Sequence, residues 1–211
     1  AIPDLRRSRG LGDVYKSQLL TGSARLHLIE QGATILPNSP AFNRERAVAA
    51  LERRDVTVHL NTAVTAVTPT SVELGSGTPL AHHGLIWTAG SRPNLPEMLP
   101  APAMAKGRLA IDAALRLVDQ TSVYAIGDLS CCVNNPWPST AQVAMQQGVA
   151  VARSIHQQQQ QDEEPLPFRF EDRGEMLSLG IGDATLTGMG ITLAGPLAFG
   201  IRRATYLTRL P

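Results

Sequence analysis

The chain has 211 residues, an apolar fraction of 43% and a formal net charge of +1 at pH 7. This length allows one large domain or two small ones with packed cores. The near-neutral charge argues against a nucleic-acid partner. No apolar run has the length of a membrane span or the form of a signal peptide, so we expect a cytoplasmic protein.

Residues 1–23 differ from the rest of the chain because they contain no strand-like apolar run. Gly10 and Gly12 match the first half of a Gly-x-Gly-x-x-Gly turn, but Tyr15 stands where the third glycine belongs. No buried strand precedes them, so we do not interpret them as a phosphate-binding loop. Our hypothesis is that this atypical segment is not native to the protein.

Residues 24–60 predict a β-α-β unit. The alternating apolar residues of 24–30 predict a strand, residues 41–54 have the periodicity of a helix, and 56–60 predict a second strand. The apolar side of the helix is expected to carry Phe42, Ala47, Val48 and Leu51.

A meander and a further strand are expected next. Residues 63–67 and 72–74 predict an antiparallel pair, with a glycine-rich turn at 75–77. The apolar run 84–88 predicts a buried strand. This order is typical of a nucleotide-binding domain with a β-insert, and proline-rich residues 93–102 then predict a crossover between domains.

The most informative segment is 123–128, which follows predicted strands at 109–112 and 115–117. Four mostly apolar residues lead into Gly127 and Asp128. This pattern predicts a buried strand that presents a carboxylate after a sharp glycine turn. Considered alone, it also fits an ordinary strand-end turn capped by aspartate.

Residues 139–155 predict a helix, with Ser139 or Thr140 as its N-cap. The helix start, rich in small residues, would face the same site as the carboxylate at 128. The polar run 157–161 is interpreted as a solvated loop.

The C-terminal part predicts strands at 168–170 and 176–181 and a closing helix at 193–210. That helix combines apolar residues with three arginines, a composition that also suits a basic amphipathic helix on a membrane surface. Core packing is the better interpretation for 193–201.

Four motifs occur together: Ile-Trp-Thr-Ala-Gly-Ser-Arg-Pro-Asn at 86–94, Gly-Asp at 127–128, Ala-Gln-x-Ala-x-Gln at 141–146 and Gly-Glu-Met-Leu-Ser-Leu-Gly at 174–180. In this order they resemble the flavoprotein reductases with two dinucleotide-binding domains. The greatest similarity is to the type II NADH dehydrogenases, the non-proton-pumping NADH:quinone oxidoreductases, over about 24–211.

The resemblance implies an α/β fold with an incomplete Rossmann-like NAD-binding domain at 24–92, which carries the β-meander insert. The C-terminal part of an FAD-binding domain would follow at 93–156, and closing strands and a helix at 157–211. It implies FAD and NADH as cofactors and quinone as electron acceptor. It also implies a peripheral position on the inner face of a membrane and is compatible with a homodimer. No N-terminal FAD domain is recognisable, so we expect this chain by itself to bind FAD weakly or not at all.

The resemblance assigns Glu30, at the end of the first strand, to the ribose of NAD; an exposed strand-end glutamate is the alternative. It brings Thr88, Ala89 and Gly90 close to FAD. The remaining contacts are Gly127 and Asp128 for the FAD hydroxyls, Gln142 and Val143 for the flavin ring, and Gln142 and Gln146 for the quinone pocket.

No catalytic side chain or metal ligand is implied, because hydride transfer to a flavin needs no side-chain acid. The adjacent Cys131 and Cys132 have neither a metal-binding spacing nor a Cys-x-x-Cys spacing, and we interpret them as structural. A redox thiol beside the flavin is the alternative. Two other functions stay open: a related reductase with a sulfide, ferredoxin or disulfide partner, and an inactive nucleotide-binding fragment.

Overall fold

The computed structural model describes residues 25–90, 92–95, 101–161 and 164–208. They form two compact units, one from the described residues up to Leu85 together with those from Gly174, the other from Ile86–Arg173. The segment from Gly174 therefore belongs to the unit that contains the first strand. The glycines at 10 and 12 lie outside the described residues.

The first unit begins with the predicted β-α-β element. Strand β1 (Leu26–Ile29) and strand β2 (Val56–His59) pair in parallel, with Leu26 opposite Val56, and helix α1 (Ala41–Glu52) connects them. The order and type of these elements are confirmed.

The buried face of α1 differs from the prediction. It carries Asn43, Ala47 and Ala50, whereas Val48 is 39% exposed, so of the expected residues only Ala47 is buried. The physical reason is a polar network that the apolar periodicity does not reveal. Asn43 donates from Nδ2 to Glu175 Oε2 (2.7 Å) and accepts from Thr187 Oγ1 (2.7 Å), which satisfies a buried amide.

The meander consists of β3 (Val64–Val67), β4 (Ser71–Leu74) and β5 (Leu80–Ala81), with β4 antiparallel to both neighbours. It confirms the predicted antiparallel pair. The strand predicted at 84–88 is wrong: this stretch is irregular, and Ile86 is 89% exposed. Its backbone pairs with no strand among the described residues, and without a partner an apolar run does not become part of a sheet.

The C-terminal part of this unit is an antiparallel sheet of β9 (Glu175–Gly180), β10 (Asp183–Gly188) and β11 (Ile191–Ala194), packed against helix α3 (Pro196–Leu207). The predicted closing helix therefore starts later than expected, because Leu193 pairs with Leu186 in the sheet.

The second unit contains β6 (Met104–Ala105), β7 (Arg108–Ile111) and β8 (Ser130–Cys132); β7 is antiparallel to β6 and parallel to β8. Residues 115–117 and 123–126 do not form the predicted regular strands, and Leu115 has φ = +70°, outside the extended region. They bond to each other through Leu117 N–H to Val123 O (2.8 Å) and Ala125 N–H to Leu115 O (3.0 Å). Pairing limited to these few bonds leaves isolated bridges instead of a strand.

Helix α2 (Ala141–Gln161) continues through the glutamine run, so the loop predicted at 157–161 is wrong. Glutamine is a good helix former, and Gln158 Oε1 accepts the hydroxyl of Tyr124 at 2.9 Å. The strand predicted at 168–170 is also wrong; Phe168 instead packs edge-on against Trp137. Both rings border a core of Leu109, Ile111, Leu115, Leu117, Ala125 and Cys132.

Candidate functional site

The chain turns sharply at Gly127, where the extended segment 123–126 ends in a single 3₁₀ turn, Gly127–Leu129. Gly127 has φ = +67°, a conformation that favours glycine. Its N–H donates to Gln147 Oε1 at 2.7 Å, so a side chain from helix α2 holds the turn.

Helix α2 begins beside this turn. The hydroxyl of Thr140 accepts the N–H of Val143 at 3.3 Å, which confirms Thr140 as one of the two predicted N-cap residues. A Cβ placed on Gly127 would lie 3.4 Å from the Cβ of Ala144, so small residues allow the helix to approach the turn closely.

A cavity of about 260 Å³ lies between the turn and the start of α2. Asp128, Val143 and Gln147 contribute to its lining, and the first two are residues that the resemblance assigns to FAD. The carboxylate of Asp128 is exposed and forms no hydrogen bond or ion pair with the residues that the structure describes. It is therefore available to accept hydrogen bonds from a ligand.

The other lining residues give the cavity a mixed character. Lys106 and Arg108 supply positive charge, Trp137 supplies an aromatic surface, and the Arg108 guanidinium donates to the hydroxyl of Ser139. The adjacent thiols of Cys131 and Cys132 also line the cavity, and both residues are buried and unbridged.

The amides of Gln142 and Gln146 are engaged elsewhere. Gln142 Oε1 accepts the N–H of Arg173 at 2.8 Å, and Gln146 exchanges two hydrogen bonds of 2.9 and 3.0 Å with the backbone of Glu171. The two glutamines lie one helical turn apart on α2, and they hold segment 171–173 against this face. A groove of about 610 Å³ lies beside Gln146, lined by apolar side chains and three arginines.

Glu30 lies at the end of β1 in the first unit, where its N–H donates to His59 O at 2.8 Å. Its carboxylate accepts the N–H of Gly32 at 2.6 Å. The acid thus stabilises the loop that follows the strand, and its second oxygen has no hydrogen-bond partner among the described residues.

Thr88, Ala89 and Gly90 form an exposed, irregular stretch. The N–H of Gly90 donates to Thr88 O at 2.9 Å, and Gly90 has φ = +84°.

The sequence analysis missed Gln147, Lys106 and Arg108. A signal for Gln147 exists: Val143, Gln147 and Ser154 follow a helical period, and all three are buried. A glutamine within a buried stripe indicates a specific hydrogen-bonding role. For Lys106 and Arg108 the sequence offers no comparable signal.

Comparison with known proteins assigns the class. Residues 15–148 match the model of the pyridine nucleotide-disulphide oxidoreductase family, more than half of the chain, and the chain belongs to this family. The match includes residues 15–23 of the N-terminal segment that the sequence sets apart. None of the described helices is long and apolar enough to span a membrane, and the described residues contain no group of three or more potential metal ligands.

The relatives confirm the resemblance to quinone-reducing enzymes. Demethylphylloquinone reductase NdbB from Synechocystis is 36% identical over 89% of this chain and 48% of its own length. The alternative NAD(P)H-ubiquinone oxidoreductase C1 from Arabidopsis thaliana is 31% identical over 92% of this chain and 42% of its own length. The type II NADH:quinone oxidoreductase of Staphylococcus aureus is 30% identical over 75% of this chain and 41% of its own length. The chain therefore spans less than half the length of these relatives.

Solved structures confirm the predicted α/β fold class. NDH2 from Plasmodium falciparum, solved in complex with NADH, has a TM-score of 0.75 at 15% identity, covering 89% of this chain and 55% of its own. The sulfide:quinone oxidoreductase of Aquifex aeolicus has a TM-score of 0.65 at 13% identity, covering 92% of this chain and 51% of its own. At such identities the likeness shows a shared fold and no shared substrate.

Proposed function

We propose that this chain is part of an FAD-dependent NADH:quinone oxidoreductase. The observation that carries the proposal is the unpartnered carboxylate of Asp128, which lies beside a glycine turn and the start of a 21-residue helix. The named activities of the relatives support it. When bound, FAD would accept a hydride from NADH and pass two electrons to a quinone.

The residues around the cavity fit part of such a cofactor. Asp128 can accept hydrogen bonds from sugar-like hydroxyls, and charge-assisted bonds are among the stronger ones. The N-terminus of α2, near Gln142 and Val143, carries partial positive charge that favours electron density on a nearby ring. A cavity of about 260 Å³ is small for a whole dinucleotide, which supports weak FAD binding by the 211 residues alone.

Glu30 supports a preference for NADH. A carboxylate at the end of this Rossmann strand can accept the ribose hydroxyls and repel the additional phosphate of NADP. The hydrogen bond from Gly32 fixes the carboxylate in place, and one oxygen is left for the ribose.

The groove beside Gln146 suits an apolar acceptor such as a quinone. Met145, Val149, Leu166 and Phe168 contribute to its lining. Because Gln142 and Gln146 hold the backbone of 171–173, they would shape this wall. We propose that they border the quinone site in this way.

Helix α3 supports a peripheral contact with a membrane. Leu197, Tyr206 and Leu207 are exposed, and Arg203 is exposed near them. Such a helix can place apolar side chains among lipid tails and cations among headgroups. A homodimer remains a prediction.

The test uses the gene product that carries these 211 residues, purified and analysed for bound FAD. We expect NADH to bleach the flavin absorbance and a short-chain quinone to restore it. Bleaching that requires sulfide, or reoxidation that requires ferredoxin or a disulfide substrate, would favour another member of the family. Binding of nucleotide without electron transfer would contradict the proposal, and loss of turnover after thiol alkylation would give Cys131 or Cys132 a redox role.

A further inference from the structure

Gln147 is a buried polar residue whose hydrogen bonding is half complete. It is 3% exposed, lies one helical turn after Val143 on α2, and lines the cavity beside Asp128. Its Oε1 accepts the N–H of Gly127 at 2.7 Å. Among the residues that the structure describes, its amide nitrogen has no acceptor.

The hydrogen bond to Gly127 determines the orientation of the Gln147 side-chain amide. A backbone N–H requires an acceptor, so the carbonyl oxygen of Gln147 must face Gly127. The NH₂ group is then the free end, in a residue that contributes to the cavity wall. This nitrogen is not among the fully buried side-chain atoms that lack a partner, so it keeps access to the cavity, where a ligand acceptor can bind it directly.

The cavity thus offers two opposite polar groups. Asp128 can only accept hydrogen bonds when ionised, and the free end of Gln147 can only donate. A matching ligand presents hydroxyl groups to the first and an oxygen or ring nitrogen to the second. The polyol and flavin parts of FAD carry both kinds of atom.

We propose that Gln147 is a positioning residue for FAD: its oxygen holds the Gly127 turn, and its NH₂ donates a hydrogen bond to the cofactor. This inference rests on the proposed function, because it takes FAD as the occupant of the cavity. It links the conformation of the turn to cofactor binding through a single side chain.

The decisive variant is Gln147→Glu in the complete gene product. It keeps an acceptor for Gly127 and replaces the donor by a second negative charge near Asp128. We expect FAD binding, measured by flavin fluorescence on the deflavinated protein, to weaken about tenfold, or about 1.4 kcal/mol. The deflavinated variant should keep the Gly127 turn, because the hydrogen bond to Gly127 is retained, although burial of the new carboxylate should lower its melting temperature.

The control is Gln159→Glu, which adds the same charge to an exposed position of the same helix. It should bind FAD as the parent does. Equal weakening by both variants would overturn the inference, because charge alone would then explain the loss. FAD affinity at the parent level in Gln147→Glu would overturn it too.

A second variant covers a failure of Gln147→Glu to fold. Gln147→Met keeps the volume but removes both donor and acceptor, and it should also weaken FAD binding about tenfold. Parent-level affinity in folded Gln147→Met would contradict the proposal.

Asp128→Ala distinguishes a failure of the role proposed for Gln147 from a failure of the proposed function. If Asp128→Ala weakens FAD binding and the Gln147 variants do not, only the role of Gln147 fails. If none of these variants changes FAD binding, FAD does not occupy the cavity and the proposed function fails with it.

Discussion

Two acids of this chain, Glu30 directly after β1 and Asp128 in the 3₁₀ turn, have different surroundings. Glu30 bonds to the N–H of Gly32, two residues further along its own loop. Asp128 has no partner among the described residues, and the turn before it is held from helix α2, by Gln147. The first carboxylate stabilises its own loop, whereas the turn that carries the second is held by a residue distant in sequence.

This difference shows that stabilising a loop and binding a ligand can be tasks of one residue or of two. Where the acid itself stabilises the loop, replacing it should disturb both the local conformation and ligand selection. Where another residue supplies the support, the acid can be replaced with little structural cost. Substitutions of Glu30 and of Asp128 should therefore have different effects.

The largest effect is expected for Asp128→Ala. Loss of charge-assisted hydrogen bonds worth about 1.5–3 kcal/mol should weaken FAD binding roughly ten- to a hundredfold. The thermal stability of the deflavinated protein should hardly change, because Asp128 bonds to no described residue. Equilibrium titration with FAD measures the affinity, and calorimetry measures the thermal stability. An unchanged FAD affinity would contradict the assignment of Asp128 to the FAD hydroxyls.

The next effect is expected for Gly127→Ala, which places a side chain at φ = +67°. The left-handed conformation should cost about 1–2 kcal/mol. The matched control is Gly32→Ala, where φ is not left-handed and the new Cβ would lie 3.1 Å from Glu30 Oε1 and 3.6 Å from Thr34 O. Urea unfolding should show the larger loss for Gly127→Ala, and the reverse order would contradict our account of the turn.

A smaller effect is expected for Glu30→Arg on cofactor choice. The ratio of kcat/KM for NADPH to that for NADH should rise about tenfold, because the new cation attracts the phosphate that the acid repels. Glu30→Gln is the control, since its carbonyl oxygen can still accept the N–H of Gly32. An unchanged ratio in Glu30→Arg would argue against this role for Glu30.

The smallest effect concerns Tyr124, in the segment that leads to Asp128. Burial raises the pKa of its hydroxyl above the usual value of about 10. The unfolded chain then loses this proton first as the pH rises, so the contribution to stability is complete below about pH 10 and is lost above it. Tyr124→Phe should reduce the fall in unfolding free energy as the pH rises above about 10. Identical pH profiles of the two proteins would contradict the raised pKa of Tyr124.

The sequence predicted the elements that local patterns specify. The alternation in β1 and the N-cap at Thr140 were enough to place a strand and a helix start. The strand predicted at 84–88 failed because an apolar run indicates a capacity for burial and says nothing of the partner strand. The helix at 157–161 was missed because a polar run was equated with a loop, although glutamine favours helices.

Candidate site residues, like the secondary-structure elements, were predicted where a local sequence pattern specifies them. Asp128 was found because a strand-turn pattern precedes it directly, whereas the role of Gln147 depends on a bond to a residue twenty positions earlier. The burial of Asn43 depends likewise on Glu175, which no local pattern connects to it. The proposed ligand contacts of all predicted site residues stay predictions: Glu30, Thr88, Ala89, Gly90, Gly127, Asp128, Gln142, Val143 and Gln146.

The hydrogen bonds between α1 and the C-terminal sheet have a consequence for synthesis on the ribosome. Ser39 and Asn43 both donate to the carboxylate of Glu175, which lies more than 130 positions later. All of the second unit is translated before that carboxylate exists. The amide of Asn43 must therefore remain hydrated in the nascent chain, and the first unit can complete its core only after β9 and β10 have left the exit tunnel.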